Sequence, residues 1–189
     1  MTANDITDAK VLHDNGAGTA APRPASLGFM LRHPARWIAL GFGSGLAPKA
    51  PGTVGTLWAW AAFLVLDRWL GEAQWALVLA ASLLLGVWAC TRTARELGLA
   101  DPGCIVWDEV IAFWAVLWLV MPTGLVGQAV AFALFRFFDV VKPGPVRWAD
   151  QRFKNARGWR LGVGIIFDDL VAALCTLLVI ALWRFAWSP

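Results

Sequence analysis

Val110-Ile-Ala-Phe-Trp-Ala-Val-Leu-Trp-Leu-Val-Met-Pro-Thr-Gly-Leu-Val-Gly-Gln-Ala-Val-Ala-Phe-Ala-Leu-Phe135 carries no charge from end to end, and its reading decides the fold. A helix needs roughly 20 apolar residues to cross a hydrocarbon core of ~30 Å, so the stretch is long enough for one crossing. Pro122-Thr-Gly124, however, divides it into halves of about a dozen residues, each ~18 Å long as helix. Three further uncharged runs flank it: Ala50 to Leu66, Ala73 to Thr91, and Leu170 to Trp183, the last preceded by the apolar Leu161 to Phe167. All are helical candidates. The second is long enough to span alone, and the first and last are long enough with their flanking residues.

Charge placement chooses between the two readings of the central run. Residues 136–160 hold Arg136, Lys142, Arg147, Arg152, Lys154, Arg157 and Arg160 against Asp139 and Asp150, which marks a cytoplasmic segment. Residues 1–28, polar and lacking the apolar core of a signal peptide, read as a flexible cytoplasmic tail. If the first two runs then form a hairpin, residues 92–109 are also cytoplasmic. The central run must therefore leave and return on the same side, as a re-entrant hairpin or as two tilted half-length helices. The expected fold is all-α: a small multi-helix integral membrane protein with short or re-entrant helices around a cytoplasm-facing acidic site, its membrane-embedded domain covering 29–189.

Composition agrees. Of 189 residues 59% are hydrophobic and 15% charged, with a mean hydropathy of +0.61, whereas a soluble domain carries about 25% charged residues. The balance disfavours a water-soluble monomer, and disorder is excluded for most of the length. Cys90, Cys104 and Cys175 are odd in number and widely spaced, so they read as packing residues and not as a disulfide or metal framework. The formal charge of +3 lies between apolar runs and favours an anionic lipid surface over nucleic acid.

Five carboxylates sit where a membrane makes them costly: Asp108 and Glu109 open the central run, Asp139 closes it, and Asp168 and Asp169 interrupt the last one. Helix-dipole complementation explains one such residue and not all five. Acidic oxygens without histidine or cysteine partners suit a hard cation, Mg²⁺ before Zn²⁺ or Cu²⁺; His13 and His33 both precede the polar motifs. Adjacent helical residues point about 100° apart, so the two members of Asp108-Glu109 and of Asp168-Asp169 are expected to do different jobs.

An anion site accompanies the acids. In Ala47-Pro-Lys-Ala-Pro-Gly-Thr53 the prolines and glycine fix a tight loop, Thr53 can cap the helix that follows, and Lys49 reinforces the free N–H groups. In Phe135-Arg-Phe-Phe-Asp-Val-Val-Lys-Pro143, Arg136 and Asp139 stand at i, i+3 and Pro143 stops the helix. Either these residues form an ordinary ion pair with a lysine at a helix C-terminus, or Arg136 or Lys142 holds a phosphate while Asp139 binds metal. No Cys-x5-Arg loop, phospho-aspartate motif or nearby histidine supplies a covalent nucleophile, and the acidic pairs lack the Asp-Gly-x-x-Ala-Arg pattern of the CDP-alcohol phosphotransferases. Metal-dependent phosphoryl transfer to water is left, with a membrane cation transporter or channel lined by the acidic residues as the alternative. A cation path has little use for the anion loop.

Gly45-Leu-Ala-Pro-Lys-Ala-Pro-Gly-Thr-Val-Gly55, Asp101-Pro-Gly-Cys-Ile-Val-Trp-Asp-Glu109, Phe135-Arg-Phe-Phe-Asp-Val-Val-Lys-Pro143 and Gly162-Val-Gly-Ile-Ile-Phe-Asp-Asp169 together resemble the phosphatidylglycerophosphatase A family. Four motifs in the family's order span about residues 41–183; the polar tail and Cys104 depart from its pattern. The resemblance implies Mg²⁺-dependent removal of the terminal phosphate of phosphatidylglycerophosphate to give phosphatidylglycerol, a step of phospholipid biosynthesis in the bacterial inner membrane. On that reading Asp108, Glu109, Asp139, Asp168 and Asp169 serve metal and catalysis, and Lys49, Thr53, Arg136 and Lys142 bind the substrate phosphate.

Overall fold

The computed structural model describes residues 25–154 and 156–187, and among them there is no strand. Two short helices, α1 (Leu27–Leu31) and α2 (Pro34–Ala39), lead through a kinked 3-10 segment, Gly41–Leu46, to α3 (Pro51–Leu66), α4 (Glu72–Leu97), α5 (Trp107–Val120), α6 (Leu125–Val141), α7 (Gly144–Arg152) and α8 (Trp159–Trp187). The all-α expectation holds. The proposed tail lies mostly outside the described residues; His33, at the entry to α2, accepts the Ala35 N–H on Nδ1 at 3.1 Å and so caps that helix.

Local chemistry sets the boundaries. Pro51 presets φ for the first residue of α3, and Ala50 ahead of it takes a left-handed conformation at φ 47°. The helix therefore starts two residues before Thr53, which makes no capping hydrogen bond, contrary to the sequence expectation. At the other end of α3, Asp67 accepts the Trp75 indole N–H at 2.9 Å and ties the turn to α4. α4 continues six residues past its apolar run, through Arg92, Arg95 and Glu96, to a left-handed Gly98. α8 runs unbroken through Asp168-Asp169, because carboxylates facing the interior of a bundle do not break the backbone ladder.

With 26 and 29 residues, α4 and α8 are the helices long and apolar enough to cross a membrane among the described residues. They cross each other closely at Gly162, where a Cβ would run into Thr91 Oγ1 and the Val87 carbonyl. Many large apolar side chains on the outside stay uncovered, Leu84 and Val126 being 74% and 81% exposed. This is the surface expected of a bundle solvated by lipid.

The central run folds as two half-length helices, as its Pro-Thr-Gly interruption predicts. Phe113 in the middle of α5 stacks on Phe135 of α6 at 5.6 Å and meets Phe132 edge-on at 5.7 Å, while Glu109 in the first turn of α5 meets Arg136 further along α6. The two helices are thus an antiparallel hairpin whose open ends lie together and whose tip is Met121–Gly124. α5 is the axis of the molecule, packed against α3, α4, α6 and α8, with Val110, Ala112, Phe113, Val116 and Leu117 wholly buried.

Candidate active site

The hairpin brings the first turn of α5 to the last turns of α6, and α8 passes beside both. Asp108 and Glu109 occupy the first turn of α5, where unpaired backbone N–H groups favour negative charge. Asp108 Oδ1 accepts the Glu109 N–H at 3.0 Å. Asp169 approaches from α8, and one carboxylate oxygen from each of Asp108, Glu109 and Asp169 lies within 4.8 Å of the others. All three residues are buried.

Glu109 Oε1 accepts from Arg136 Nη1 at 3.4 Å, while Glu109 Oε2 is buried with no hydrogen-bond partner. An orphaned carboxylate oxygen in that position is costly unless something positive meets it. The donor set is oxygen only, which fits a hard divalent cation better than a thiolate- or imidazole-seeking one. The residues present therefore suit the ion that the sequence implies.

Two cations flank the triad. Arg136 Nη1 pairs with Asp139 on its own helix, with Glu109, and with Thr56 Oγ1 of α3 at 3.4 Å. Lys142, left-handed at the end of α6, joins Asp150 of α7 (2.6 Å) to Asp168 of α8. Burial works against the Lys142 charge, but hydrogen bonds to Asp150 and Asp168 outweigh it and hold the ammonium pKa above the ordinary lysine value. Asp101, in the loop before α5, has a raised pKa because its setting strips water from it; Lys142 opposes the rise and the Asp150 and Asp139 carboxylates add to it. A cavity of about 320 Å³ opens beside Asp168, with Asp101, Asp150, Phe153 and Lys154 in its walls.

The five carboxylates named from the sequence thus converge, in two groups of contacts. Asp168 and Asp169 meet different partners, in keeping with their angular offset: Asp169 lies in the triad and Asp168 pairs with Lys142. Asp108 and Glu109 instead serve one cluster, because Glu109 has an extra methylene with which to bring its carboxylate round to its neighbour. The pairing of Arg136 with Asp139, read as one of two alternatives, is formed.

Lys49 lies in the loop before α3 and Thr53 in its first turn, which touches the cluster at Gly52. A Cβ there would collide with Glu109 Oε1 and come within 3.3 Å of Arg136 Nη1. Lys49 is exposed and makes no ion pair among the described residues. Sequence reasoning did not single out Gly52, Thr56, Asp101 or Asp150. Thr56 and Gly52 could have been found by their i, i+4 spacing, which puts both on the α3 face that meets α5.

Carboxylate oxygens beside a guanidinium and an ammonium, at one end of a helical bundle with an apolar outer face, are the arrangement suited to an enzyme of phosphoryl chemistry on lipids. Residues 37–184 match the family Phosphatidylglycerophosphatase A. A phosphatidylglycerophosphatase A of Haemophilus influenzae is 38% identical over 150 residues, which cover 79% of this chain and 88% of that one. One from Escherichia coli is 39% identical over 144 residues, 76% and 80% of the two chains. A Bacteroides thetaiotaomicron protein with the provisional name phosphatidylinositol-3-phosphatase is 37% identical over 153 residues, 78% of this chain and 91% of that one. No solved structure matches the chain. The chain belongs to the phosphatidylglycerophosphatase A family and is a lipid phosphatase. Family membership decides against the channel that the acidic residues alone left open.

Proposed function

We propose that this enzyme hydrolyses the terminal phosphate of phosphatidylglycerophosphate, giving phosphatidylglycerol and inorganic phosphate, with Mg²⁺ as its cofactor. The observation that carries the reading is the Asp108, Glu109 and Asp169 triad with its unpartnered Glu109 oxygen, in a chain whose relatives bear this activity's name. Water's oxygen bonds to phosphorus, the bond from phosphorus to the glycerol oxygen breaks, and a proton restores the glycerol hydroxyl. Mg²⁺ held by the triad would neutralise phosphate charge and acidify water.

The chain's own residues supply the rest. Arg136 presents a planar donor fork at the junction of α3, α5 and α6 and meets the phosphate there. Asp139 and Asp168, already engaged by Arg136 and Lys142, orient those two cations. Lys49 and Thr53 close the phosphate site from the α3 side. The apolar outer face keeps the acyl chains in the bilayer, so that only the headgroup needs to reach the polar end.

The enzyme sits in the bacterial inner membrane as a multi-pass protein, with the open end of the hairpin and the basic 136–160 segment in the cytoplasm. The test is phosphate release from phosphatidylglycerophosphate in detergent micelles, with and without Mg²⁺. Release that chelation abolishes and Mg²⁺ restores is expected. Undiminished release in chelator would refute the metal, and no release under any condition would refute the substrate.

A further inference from the structure

An open groove of about 530 Å³ lies on the outside of the bundle, between α4 and the first turn of α8. Leu84, Trp88, Arg92 and Arg95 recur along α4 at i, i+4, i+8 and i+11, one continuous face. At the helical rise that stripe is ~16 Å long, close to the ~15 Å thickness of one leaflet's hydrocarbon. Its lower half is apolar and open, with Leu84 and Trp88 74% and 44% exposed. Its upper half is cationic, and the 68% exposed Trp159 of α8 forms the facing wall.

The charges at the upper end are not balanced. Glu96 is shared between Arg36 at 2.7 Å and Arg92 at 3.1 Å. Arg95 is exposed and has no carboxylate partner among the described residues. Two guanidiniums against one carboxylate already bridged to a third leave a local excess of positive charge and planar donor pairs. Guanidinium forks of this kind match the oxygens of a phosphate. The groove is separate from the acidic cluster: none of Asp108, Glu109 and Asp169 lines it, and at its floor α4 and α8 close on each other where Thr91 Oγ1 accepts the Gly162 N–H at 3.1 Å.

We propose that this groove binds an anionic phospholipid of the surrounding bilayer, its phosphate between Arg92 and Arg95 and one acyl chain along Leu84 and Trp88. This rests on the membrane placement above and not on the identity of the substrate. The gradient from apolar to cationic along one leaflet's depth sets the lipid's orientation, headgroup toward the end of the bundle that carries the active site. Trp88 and Trp159 flank the boundary between chain and headgroup, the level at which indoles settle in a membrane.

The test is native mass spectrometry of the full chain in a neutral detergent, titrated with phosphatidylserine or with phosphatidylcholine of the same acyl chains. Phosphatidylserine is anionic yet is neither the proposed substrate nor its product. One bound phosphatidylserine is expected, held at least about ten-fold more tightly than phosphatidylcholine, because its serine carboxylate, which phosphatidylcholine lacks, adds one charge-assisted hydrogen bond from a guanidinium beside the phosphate. The double variant Arg92→Gln/Arg95→Gln should erase that preference, and Arg95→Gln alone, at an exposed position, should reduce it. Arg147→Gln on α7 and Asp169→Asn in the triad should both leave it intact. Equal retention of the two lipids, survival of the preference in the double variant, or an equal loss in Arg147→Gln would overturn the proposal. Loss in Asp169→Asn would place the lipid in the catalytic site instead.

Discussion

Gly52→Ala isolates the catalytic geometry from the stability of the fold. Gly52 lies in the first turn of α3, in helical conformation, so an alanine there has no backbone strain and gains up to ~0.8–1 kcal/mol of helix propensity. The new methyl group, however, occupies the place of Glu109 Oε1 and lies 3.0 Å from Glu109 Cδ. The carboxylate is the far end of a flexible side chain and can swing away. In doing so it gives up its long, charge-assisted hydrogen bond from Arg136, a loss of about 1.5–3 kcal/mol. The helix propensity offsets part of this, and the melting temperature should stay within ~8 °C of wild type. The triad does not recover, since its oxygens no longer lie together. A misplacement of ~1 Å at a reacting centre costs on the order of 100-fold, or ~2.7 kcal/mol at 1.36 kcal/mol per tenfold. Phosphate release from lipid substrate at saturating Mg²⁺, paired with thermal melting, measures both quantities, and Gly28→Ala, where nothing lies within 4 Å of the added atom, is the control. Activity within about twofold of wild type in a folded Gly52→Ala protein would refute the role given to Glu109.

Four other results are expected. Asp108→Asn and Asp169→Asn should each abolish hydrolysis while the protein stays folded, and Asp139→Asn should do the same by releasing Arg136; full activity in all three would sink the site. Lys49→Ala should lower kcat/KM roughly 10- to 150-fold, the worth of one charge-assisted hydrogen bond to phosphate, with partial rescue by Lys49→Arg, whereas a lysine that only meets lipid headgroups would leave both variants within about twofold. Because the Asp101 carboxyl is raised in the folded state, its ionisation opposes folding above its unfolded pKa of ~3.9. Asp101→Asn should therefore raise the melting temperature at pH 7, and the gain should vanish below about pH 4; a gain independent of pH would mean a packing effect. Finally, Gln151→Cys in a cysteine-free background should resist a membrane-impermeant thiol reagent in intact cells and react after lysis; Gly144 in the same segment is unsuitable because its φ of +37° penalises a side chain.

The helices that mattered most were legible because their signals are strong and local. Apolar length marks α3, α4 and α8, and Pro122-Thr-Gly124 marks the bend between α5 and α6. Extensions were less legible. α4 continues through Thr91-Arg-Thr-Ala-Arg-Glu-Leu97, a stretch whose polarity reads as a loop until Arg36 is seen pairing with Glu96 from outside. Among the site residues, the carboxylates stood out because charge is rare in such a chain. Thr56 and Gly52 did not, since their importance lies in how near another helix comes. Asp150 was hidden for the opposite reason: in a basic segment it reads as a compensating surface charge, and its partnership with Lys142 exists only once α7 folds back against α8.

Beneath the acidic triad, α5 continues as Phe113, Val116, Leu117 and Val120, all buried, down to the tip of the hairpin. Gln128, the polar side chain buried at that depth on α6, is spoken for by the Trp60 indole at 2.6 Å and the Thr123 carbonyl at 3.2 Å. Thr176, buried on α8 beyond Asp169, likewise spends its hydroxyl on the Ala172 carbonyl at 2.9 Å, and no carboxylate is buried on α5 or α6 beyond the triad among the described residues. A membrane potential does work of ~2.3 kcal/mol per elementary charge per 100 mV on anything that can move through it, and a cluster of acids within a bilayer would ordinarily invite such leakage. On the membrane placement proposed above, the apolar floor of the hairpin would act as electrical insulation, letting the enzyme keep a charged site at one face of an energised membrane without short-circuiting it.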